Sequence, residues 1–286
     1  MRIACIGEAM IELAMQNGHA QVGVAGDTLN TAIYLRRSAP GLQVDYVTCL
    51  GDDPFSDRIA DFIAAQGVGT GAIRRIAGAS PGLYAITTAA KGERSFTYWR
   101  EASAARRLFE DGDFSLLSGY DALYLSGISM AILPHAVRLA LIDWLDDAPL
   151  RVIYDSNHRP RLWDSPGHAR EVTAAMWARA DIALPSIDDE MVLFEETAEA
   201  VAKRFAAHPG QGALKRGERG PLSIGIAVDQ AYPCATDVVD TTAAGDSFNG
   251  GYLAALLTGA SQAEALMAGH RLAAKVVRHR GAIIPE

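Results

Sequence analysis

The segment DTTAAGDSFNGGYLAALL, residues 240–257, passes from a strand end through small residues into a helical pattern. The apolar residues that recur on one side of this predicted helix are Phe248, Tyr252, Leu253 and Leu256. Ala243, Ala244 and Gly245 carry little or no side chain, so a phosphate can approach their backbone N–H groups at the positive end of the helix. Asp246 falls in the first turn of the helix, beside these N–H groups, which would form an anion-binding site. The alternative is an ordinary first-turn acid favoured by the helix dipole.

Strand-like runs and helical patterns alternate through most of the remaining chain, which predicts an α/β fold. We expect one domain, residues 1–286, with a mainly parallel sheet covered by helices on both faces. The predicted strands are residues 2–7, 44–50, 122–125, 151–155, 181–184, 213–215 and 223–228. The best-marked helix has Asp53 as N-cap, Pro54 at its first position, an apolar face and a stop at Gly67. That face is formed by Phe55, Ile59, Phe62 and Ile63.

Two segments interrupt the alternation of strands and helices. Asn17-Gly18 and Lys91-Gly92 are turn signals, and each lies between strand-like arms. We expect antiparallel lid strands from about 8–24 and 82–100, over a site at the carboxyl edge of the sheet. Open strand edges favour association, so we also expect a homo-oligomer.

Composition and motifs exclude several classes of protein. The formal net charge of -8, with no cluster of five or more Lys/Arg, argues against a nucleic-acid partner. Three scattered cysteines are too few for a disulfide framework. Glu8 and Glu12 break the apolar start, and Pro134, Arg138 and Asp143 interrupt residues 128–145, so neither a signal peptide nor a membrane span is indicated. We expect a cytoplasmic protein. The chain also lacks His-Glu-x-x-His, Gly-x-Ser-x-Gly and Walker P-loop patterns.

A second polar segment, VAGDTLNTAIYL at residues 24–35, precedes another predicted helix. Gly26 permits a tight turn, while Asp27 and Asn30 offer an acceptor and an amide for sugar hydroxyls. The alternative is a capped helix start with Asp27 or Thr28 as the N-cap.

These two segments resemble the signatures of the PfkB, or ribokinase-like, carbohydrate kinases. DTTAAGD is similar to Asp-Thr-x-Gly-Ala-Gly-Asp, and VAGDTLN, residues 24–30, is similar to Gly-Gly-x-x-x-Asn. The resemblance implies a ribokinase-like fold, ATP as phosphoryl donor and Asp246 as the catalytic base. The implied anion hole is Ala243, Ala244, Gly245 and Asp246. Ala243 replaces a glycine of the family pattern.

Further stretches resemble the subgroup of 2-keto-3-deoxygluconate kinases, and the likeness runs over nearly the whole chain. They are GERSFTYWREASAAR at residues 92–106 and the ending RGAIIPE. This resemblance implies phosphorylation of 2-keto-3-deoxygluconate at its C6 hydroxyl. The candidate substrate-binding residues are Gly26, Asp27, Asn30, Tyr84, Tyr98, Arg100, Arg159 and Asp246. The candidate nucleotide-binding residues are Asn157, Arg159, Lys215, Gly217, Ala243, Ala244 and Gly245. The alternative for Lys215 and Gly217 is a surface turn.

The carboxylate of a sugar acid calls for a fixed cation, and arginine suits it because its planar fork matches a carboxylate. Arg100 and Arg159 are the candidates; the alternative for Arg100 is a surface ion pair with Glu101 or Glu93. A fructokinase, another neutral-sugar kinase or a non-catalytic sensor remains an alternative function. Magnesium is expected with ATP because phosphoryl transfer relies on cations. LPSIDDE, residues 184–190, takes the place of the family's Asn-x-x-Glu motif, with Ser186 for the Asn, and Asp189 or Glu190 could hold Mg²⁺ through water.

Overall fold

Strands and helices alternate along the chain in this computed structural model, which describes residues 1–16, 19–88 and 94–285. In chain order the strands are β1 (Arg2–Ile6), β2 (Met10–Gln16), β3 (His19–Ala25), β4 (Gln43–Leu50), β5 (Ile73–Arg75), β6 (Leu83–Thr88), β7 (Arg94–Trp99), β8 (Ala122–Ser126), β9 (Arg151–Asp155), β10 (Ile182–Ala183), β11 (Gln211–Leu214) and β12 (Leu222–Ile224). The α-helices are α1 (Asp27–Ser38), α2 (Pro54–Ala65), α3 (Gly127–Ile132), α4 (His135–Asp147), α5 (Pro166–Arg179), α6 (Ile187–Phe194), α7 (Ala198–Ala206), α8 (Ala244–Leu257) and α9 (Gln262–Val276).

The main sheet has the strand order β12-β11-β10-β9-β8-β1-β4-β5. Its neighbouring strands run parallel, except that β11 and β12 are antiparallel. Side chains alternate across a strand, so Ile3 and Cys5 of β1 pack with α1, α2, α8 and α9, while Ala4 and Ile6 pack with α3 to α7. The predicted mainly parallel sheet with helices on both faces is confirmed.

The predicted strand boundaries differ from the structure mostly near the end of the chain. Residues 151–155 were placed correctly, whereas β10 comprises only Ile182–Ala183 of the predicted 181–184. The predicted strand 223–228 ends at Ile224, because Gly225 adopts a positive φ of 84° and turns the chain away from β11.

The predicted α2 is confirmed, with one correction on its apolar face. Asp53 accepts hydrogen bonds from the N–H groups of Phe55 at 2.9 Å and Ser56 at 3.2 Å, and Gly67 follows with a φ of 71°. Ile59 and Ile63 are fully buried, but Phe55 is 46% exposed. The first turn of the helix extends beyond the apolar cluster that covers Ile59, so Phe55 does not reach the core.

A second, four-stranded sheet has the order β3-β2-β6-β7. Each hairpin, β2 with β3 and β6 with β7, is antiparallel as predicted, and the two hairpins join through a parallel pairing of β2 with β6. The predicted turns at Asn17-Gly18 and Lys91-Gly92 lie outside the described residues. The strand β3 leads into α1 through Gly26 alone, so the small sheet is attached directly to the helix that carries Asn30.

Within the described ranges, none of the helices combines the length and the apolar character that a bilayer crossing requires.

Candidate active site

A cavity of about 1550 Å³ lies where the small sheet meets the carboxyl ends of β9 and β11 and the start of α8. Single-ligand sites usually measure about 300–1,000 Å³, so this cavity has room for two substrates side by side. The structure brings nearly all the predicted site residues to its wall. These are Gly26, Asp27, Asn30, Tyr84, Tyr98, Arg100, Asn157, Arg159, Ser186, Asp189, Lys215, Gly217, Ala243, Ala244, Gly245 and Asp246.

The start of α8, where the sequence analysis expects an anion hole, forms part of the cavity wall. Ala243 is the N-cap residue in a left-handed conformation, with φ 58° and ψ 19°, where the family pattern has glycine. The N–H of Ala244 already donates to the carbonyl of Thr241 at 3.2 Å. The ammonium of Lys215 lies 3.8 Å from the position that a Cβ would take on Gly245. A helix N-terminus and a cation therefore meet here, which suits a phosphate.

Asp246 faces the cavity from the first turn of α8. Its Oδ2 accepts a hydrogen bond of 2.8 Å from Nδ2 of Asn30. Burial, followed by the negative charges of Asp27 and Asp155, raises the pKa of Asp246 to about 8, against the lowering effects of Asn30 and Lys215. A carboxyl with such a pKa can take up a proton near neutral pH.

Asp27 holds the loop after β9 and does not cap α1. The N-cap is Gly26, so the alternative with Asp27 or Thr28 as N-cap is wrong. Oδ2 of Asp27 accepts hydrogen bonds from Oγ of Ser126 at 2.5 Å and from Nδ2 of Asn157 at 2.7 Å. Gly26 has an extended φ of 175°, and glycine is needed there because a Cβ would lie 2.2 Å from the carbonyl oxygen of Glu8.

Lys215 is anchored by two polar residues that the sequence reasoning missed. Its Nζ donates to Oδ2 of Asp155 at 2.7 Å and to Oδ1 of Asn249 at 3.3 Å. Nδ2 of Asn249 also donates to Asp155 at 2.6 Å, and both residues are buried. Asp155 had a usable signal, since it is an acid that ends a buried strand at the carboxyl edge of the sheet. Asn249 stands one turn after Asp246 in a segment already singled out.

Arg100 is buried and forms an ion pair with Glu8, a residue that the sequence reasoning did not place in the site. The alternative of a surface pair with Glu101 is therefore wrong, and Glu93 lies outside the described residues. Glu8 follows a buried strand directly, which is the signal that could have found it.

Besides Nε1 of Trp163, three buried side-chain atoms on the cavity wall have no hydrogen-bond partner among the described residues. They are Oε1 of Glu8, Oδ1 of Asn30 and Nε of Arg100. Such atoms are rare in folded proteins because an unpaired buried polar group is costly. Sugar hydroxyls can donate to the two oxygens and accept from the nitrogen. This end of the cavity therefore suits a polyhydroxy ligand.

Aromatic rings from the small sheet form another part of the wall. The rings of Tyr84 and Tyr98 stack with their centroids 5.6 Å apart, and the hydroxyl of Tyr84 donates to Glu12. Across the cavity, the Arg159 side chain is 53% exposed; one of its nitrogens donates to the carbonyl of its neighbour and lies 3.8 Å from Oδ1 of Asp189. Arg159 thus offers its remaining donors to a ligand.

The two candidate magnesium residues, Asp189 and Glu190, point in different directions. Asp189 lines the cavity, accepts from the N–H of His158 at 3.2 Å and has a pKa raised by burial. Glu190 is fully buried behind the cavity, where it accepts from Arg204 at 2.9 Å and from the Trp177 indole, and burial raises its pKa to about 7. A hard cation prefers carboxylate oxygen beside phosphate, so Asp189 fits magnesium and Glu190 does not.

Comparison with known proteins gives a consistent result. The family described as pfkB family carbohydrate kinase matches residues 1–286. The 2-dehydro-3-deoxygluconokinase of Dickeya dadantii is 42% identical over 299 residues, which cover 99% of this chain and 96% of the relative. The enzyme of the same name from Escherichia coli is 40% identical over 301 residues, covering 99% and 97%. The crystal structure of Salmonella enterica aminoimidazole riboside kinase, complexed with aminoimidazole riboside and an ATP analog, has a TM-score of 0.83 at 23% identity and covers 98% of this chain and 94% of its own. The predicted ribokinase-like fold is confirmed.

Proposed function

This chain belongs to the pfkB family of carbohydrate kinases, and we propose that it phosphorylates 2-keto-3-deoxygluconate with ATP. The C6 hydroxyl is the acceptor, and the product is 2-keto-3-deoxy-6-phosphogluconate. The observation that carries the proposal is the position of Asp246, a carboxyl with a pKa of about 8 at the N-terminus of α8. Full-length identities of 40–42% to two 2-dehydro-3-deoxygluconokinases support the same acceptor.

In the proposed reaction, Asp246 accepts the proton of the C6 hydroxyl as that oxygen attacks the γ-phosphorus of ATP. Asn30 orients the carboxylate, because its amide donates to Oδ2. The N-terminus of α8 and the ammonium of Lys215 stabilise negative charge on the phosphates. The bond between the γ-phosphorus and the bridging oxygen breaks, so ADP leaves and the phosphoryl group stays on the sugar acid.

Magnesium bound with ATP would neutralise phosphate charge, and Asp189 is the residue proposed to hold it, directly or through water. Asn157 is tied to Asp27 by its amide and, with Arg159, is proposed to border the phosphates. ATP is available in the cytoplasm, where we propose that the enzyme works.

We assign the substrate carboxylate to Arg159. Arg100 already has its charge balanced by buried Glu8, so its unpaired Nε suits a hydroxyl better than a carboxylate. Arg159 instead has a half-exposed guanidinium whose nearest acid, Asp189, stays at 3.8 Å. A charge-assisted hydrogen bond contributes about 1.5–3 kcal/mol, which corresponds to roughly 10- to 100-fold in binding.

The alternative is a kinase for a neutral sugar such as fructose, and the neutralised Arg100 is the observation that favours it. A coupled assay of ADP release should compare 2-keto-3-deoxygluconate, fructose, ribose and adenosine at equal concentration. We expect the sugar acid to have the highest kcat/KM. A preference for any neutral acceptor would overturn the assignment, and ligand binding without ADP release would indicate a non-catalytic sensor.

An arginine variant sharpens this comparison. Arg159→Gln should lower kcat/KM for the sugar acid by about tenfold more than it lowers kcat/KM for fructose, because a lost phosphate contact affects both acceptors and a lost carboxylate contact affects only the sugar acid. Arg151→Gln is the matched control, since Arg151 is exposed at the opposite end of β9 from the cavity. An equal loss with both acceptors would show that Arg159 does not read the carboxylate.

We propose that the small sheet also mediates homo-oligomer formation. Phe96, Tyr98 and Trp99 of β7 are 44–56% exposed, although large aromatic side chains are usually covered. Light scattering coupled to gel filtration tests this, and a strictly monomeric protein at micromolar concentration would contradict it.

A further inference from the structure

A group of metal-ligating side chains lies outside the cavity wall, where α4 and α5 begin. His135 is the first residue of α4, and His168 and Glu171 lie in the first turns of α5. One ligand atom from each of the three residues lies within 4.8 Å of the other two. The two imidazole rings stack with centroids 4.1 Å apart and an interplanar angle of 14°. The proposed kinase reaction uses none of these side chains.

Both histidines have a ring nitrogen without a hydrogen-bond partner. Nδ1 of His135 and Nδ1 of His168 are buried atoms that make no hydrogen bond of ordinary length to a described residue. The nearest acid to His168 is Asp164, whose Oδ2 stands 3.7 Å away and instead accepts from the buried Arg138 at 2.7 Å. An ion would give these nitrogens the partner that the protein does not supply.

We propose that His135, His168 and Glu171 bind one divalent transition-metal ion of the zinc type. Two imidazoles and a carboxylate suit such an ion, whereas magnesium prefers oxygen ligands alone. His168 and Glu171 are three residues apart on α5 and so share one helix face. Ligand nitrogens about 2.05 Å from zinc lie roughly 3.3 Å apart in a tetrahedron, so ligand atoms now up to 4.8 Å apart must approach one another by up to about 1.5 Å to bind the ion. Water completes the coordination.

The bound ion would link α4 to α5. The segment between β9 and α5 carries Asn157 and Arg159 to the cavity, and α5 begins directly after it. The proposed ion fixes the start of α5 and is therefore a structural site, with no part in phosphoryl transfer.

Isothermal titration of tag-free protein with ZnCl₂ tests the proposal, in the absence of ATP. The protein should carry Cys234→Ser, because exposed Cys234 is a free thiol that could bind zinc by itself. We expect one ion per chain and, at 100 times the Kd, a rise in Tm of about 5 °C. MgCl₂ at the same concentration should leave the Tm unchanged.

Single-residue variants identify the ligands. His168→Ala should weaken zinc binding by at least about tenfold, and Glu171→Gln, at an exposed position, should do so without risk to the fold. His279→Ala is the matched control, because His279 is exposed and distant in sequence from the cluster. Absence of zinc binding, or binding that persists in both ligand variants, would overturn the proposal. Kinase activity with magnesium should be the same in all these variants.

Discussion

Replacement of Asp246 by asparagine is the most decisive perturbation of the proposed site. The two side chains have nearly the same shape, and the asparagine oxygen can still accept the 2.8 Å hydrogen bond from Asn30. The change therefore removes the proton-accepting carboxylate and leaves the geometry of α8. It also removes the carboxyl group whose pKa the neighbouring charges of Asp27 and Asp155 raise.

Its expected effect on rate follows from the loss of a general base. Positioned bases contribute about 10²- to 10⁴-fold, which equals roughly 3 to 5 kcal/mol of activation free energy. The raised pKa, about 8, means that most wild-type molecules carry protonated Asp246 at pH 7. The kcat/KM of the wild-type enzyme should therefore rise with pH up to about 8. D246N should show only a low residual kcat/KM that does not change with pH.

The pH dependence of thermal stability gives a second measurement of the role of Asp246. The folded-state pKa of Asp246 lies above its ordinary value of 3.8, so the protonated carboxyl stabilises the fold at low pH and this contribution is lost as pH rises through about 8. D246N has no carboxyl to deprotonate at this position, so the Tm of D246N minus the Tm of wild type should increase from pH 4 to pH 8. The Tm is measured by differential scanning calorimetry.

The matched control is Asp57→Asn, at an exposed first-turn acid of α2. It should keep kcat within about twofold. Turnover of D246N within tenfold of wild type at pH 8, with an unchanged pH profile, would refute the assignment of Asp246 as the base. A D246N protein that no longer folds would be recognised by calorimetry and would contradict the expected gain in Tm.

Three other variants test neighbouring features. Ala243→Gly should raise the free energy of unfolding by about 0.5 kcal/mol in urea titrations and keep activity. The backbone strain of an alanine in the left-handed conformation, about 1–2 kcal/mol, is removed, and this gain exceeds the added entropy of the unfolded chain. A loss of stability would contradict this. Lys215→Met should lower the free energy of unfolding by about 3–5 kcal/mol, since it leaves the buried charge of Asp155 unpaired, and an unchanged urea midpoint would argue against the pair. Asp27→Asn should move the rising limb of the pH profile of kcat/KM to lower pH, because the charge of Asp27 is the second-largest cause, behind burial, of the raised pKa of Asp246. An unchanged pH profile would show that Asp27 has no such influence.

The parts of the fold and site that depend on neighbours in sequence were predictable. Asp53, Pro54 and Gly67 mark the limits of α2 by local backbone chemistry alone. The start of α8 was equally readable, because small residues ahead of an apolar helical pattern predict an exposed positive helix end.

The parts that depend on distant partners were not predictable from local patterns. Glu8 and Arg100 are 92 positions apart, and their pairing requires the order of strands in both sheets. The contact of Lys215 with Asp155 likewise requires β9 and β11 to end at the same edge.

The choice between Asp189 and Glu190 shows another limit. Consecutive helical residues point about 100° apart, so one of two adjacent acids can face the cavity while the other faces the interior. The sequence alone does not show which of the two acids faces the cavity. Only the packing of Trp177 and Arg204 against Glu190 separates the two.

Gly26 is the single residue between β3 and α1, so the small sheet and the helix that carries Asn30 share one backbone joint. Near the start of α1, Asn30 donates to Oδ2 of Asp246, so this joint lies between the small sheet and the hydrogen bond that ties α1 to α8. Gly26→Ala would place a Cβ 2.2 Å from the carbonyl oxygen of Glu8, so it would displace the joint and, with it, the donor to Asp246.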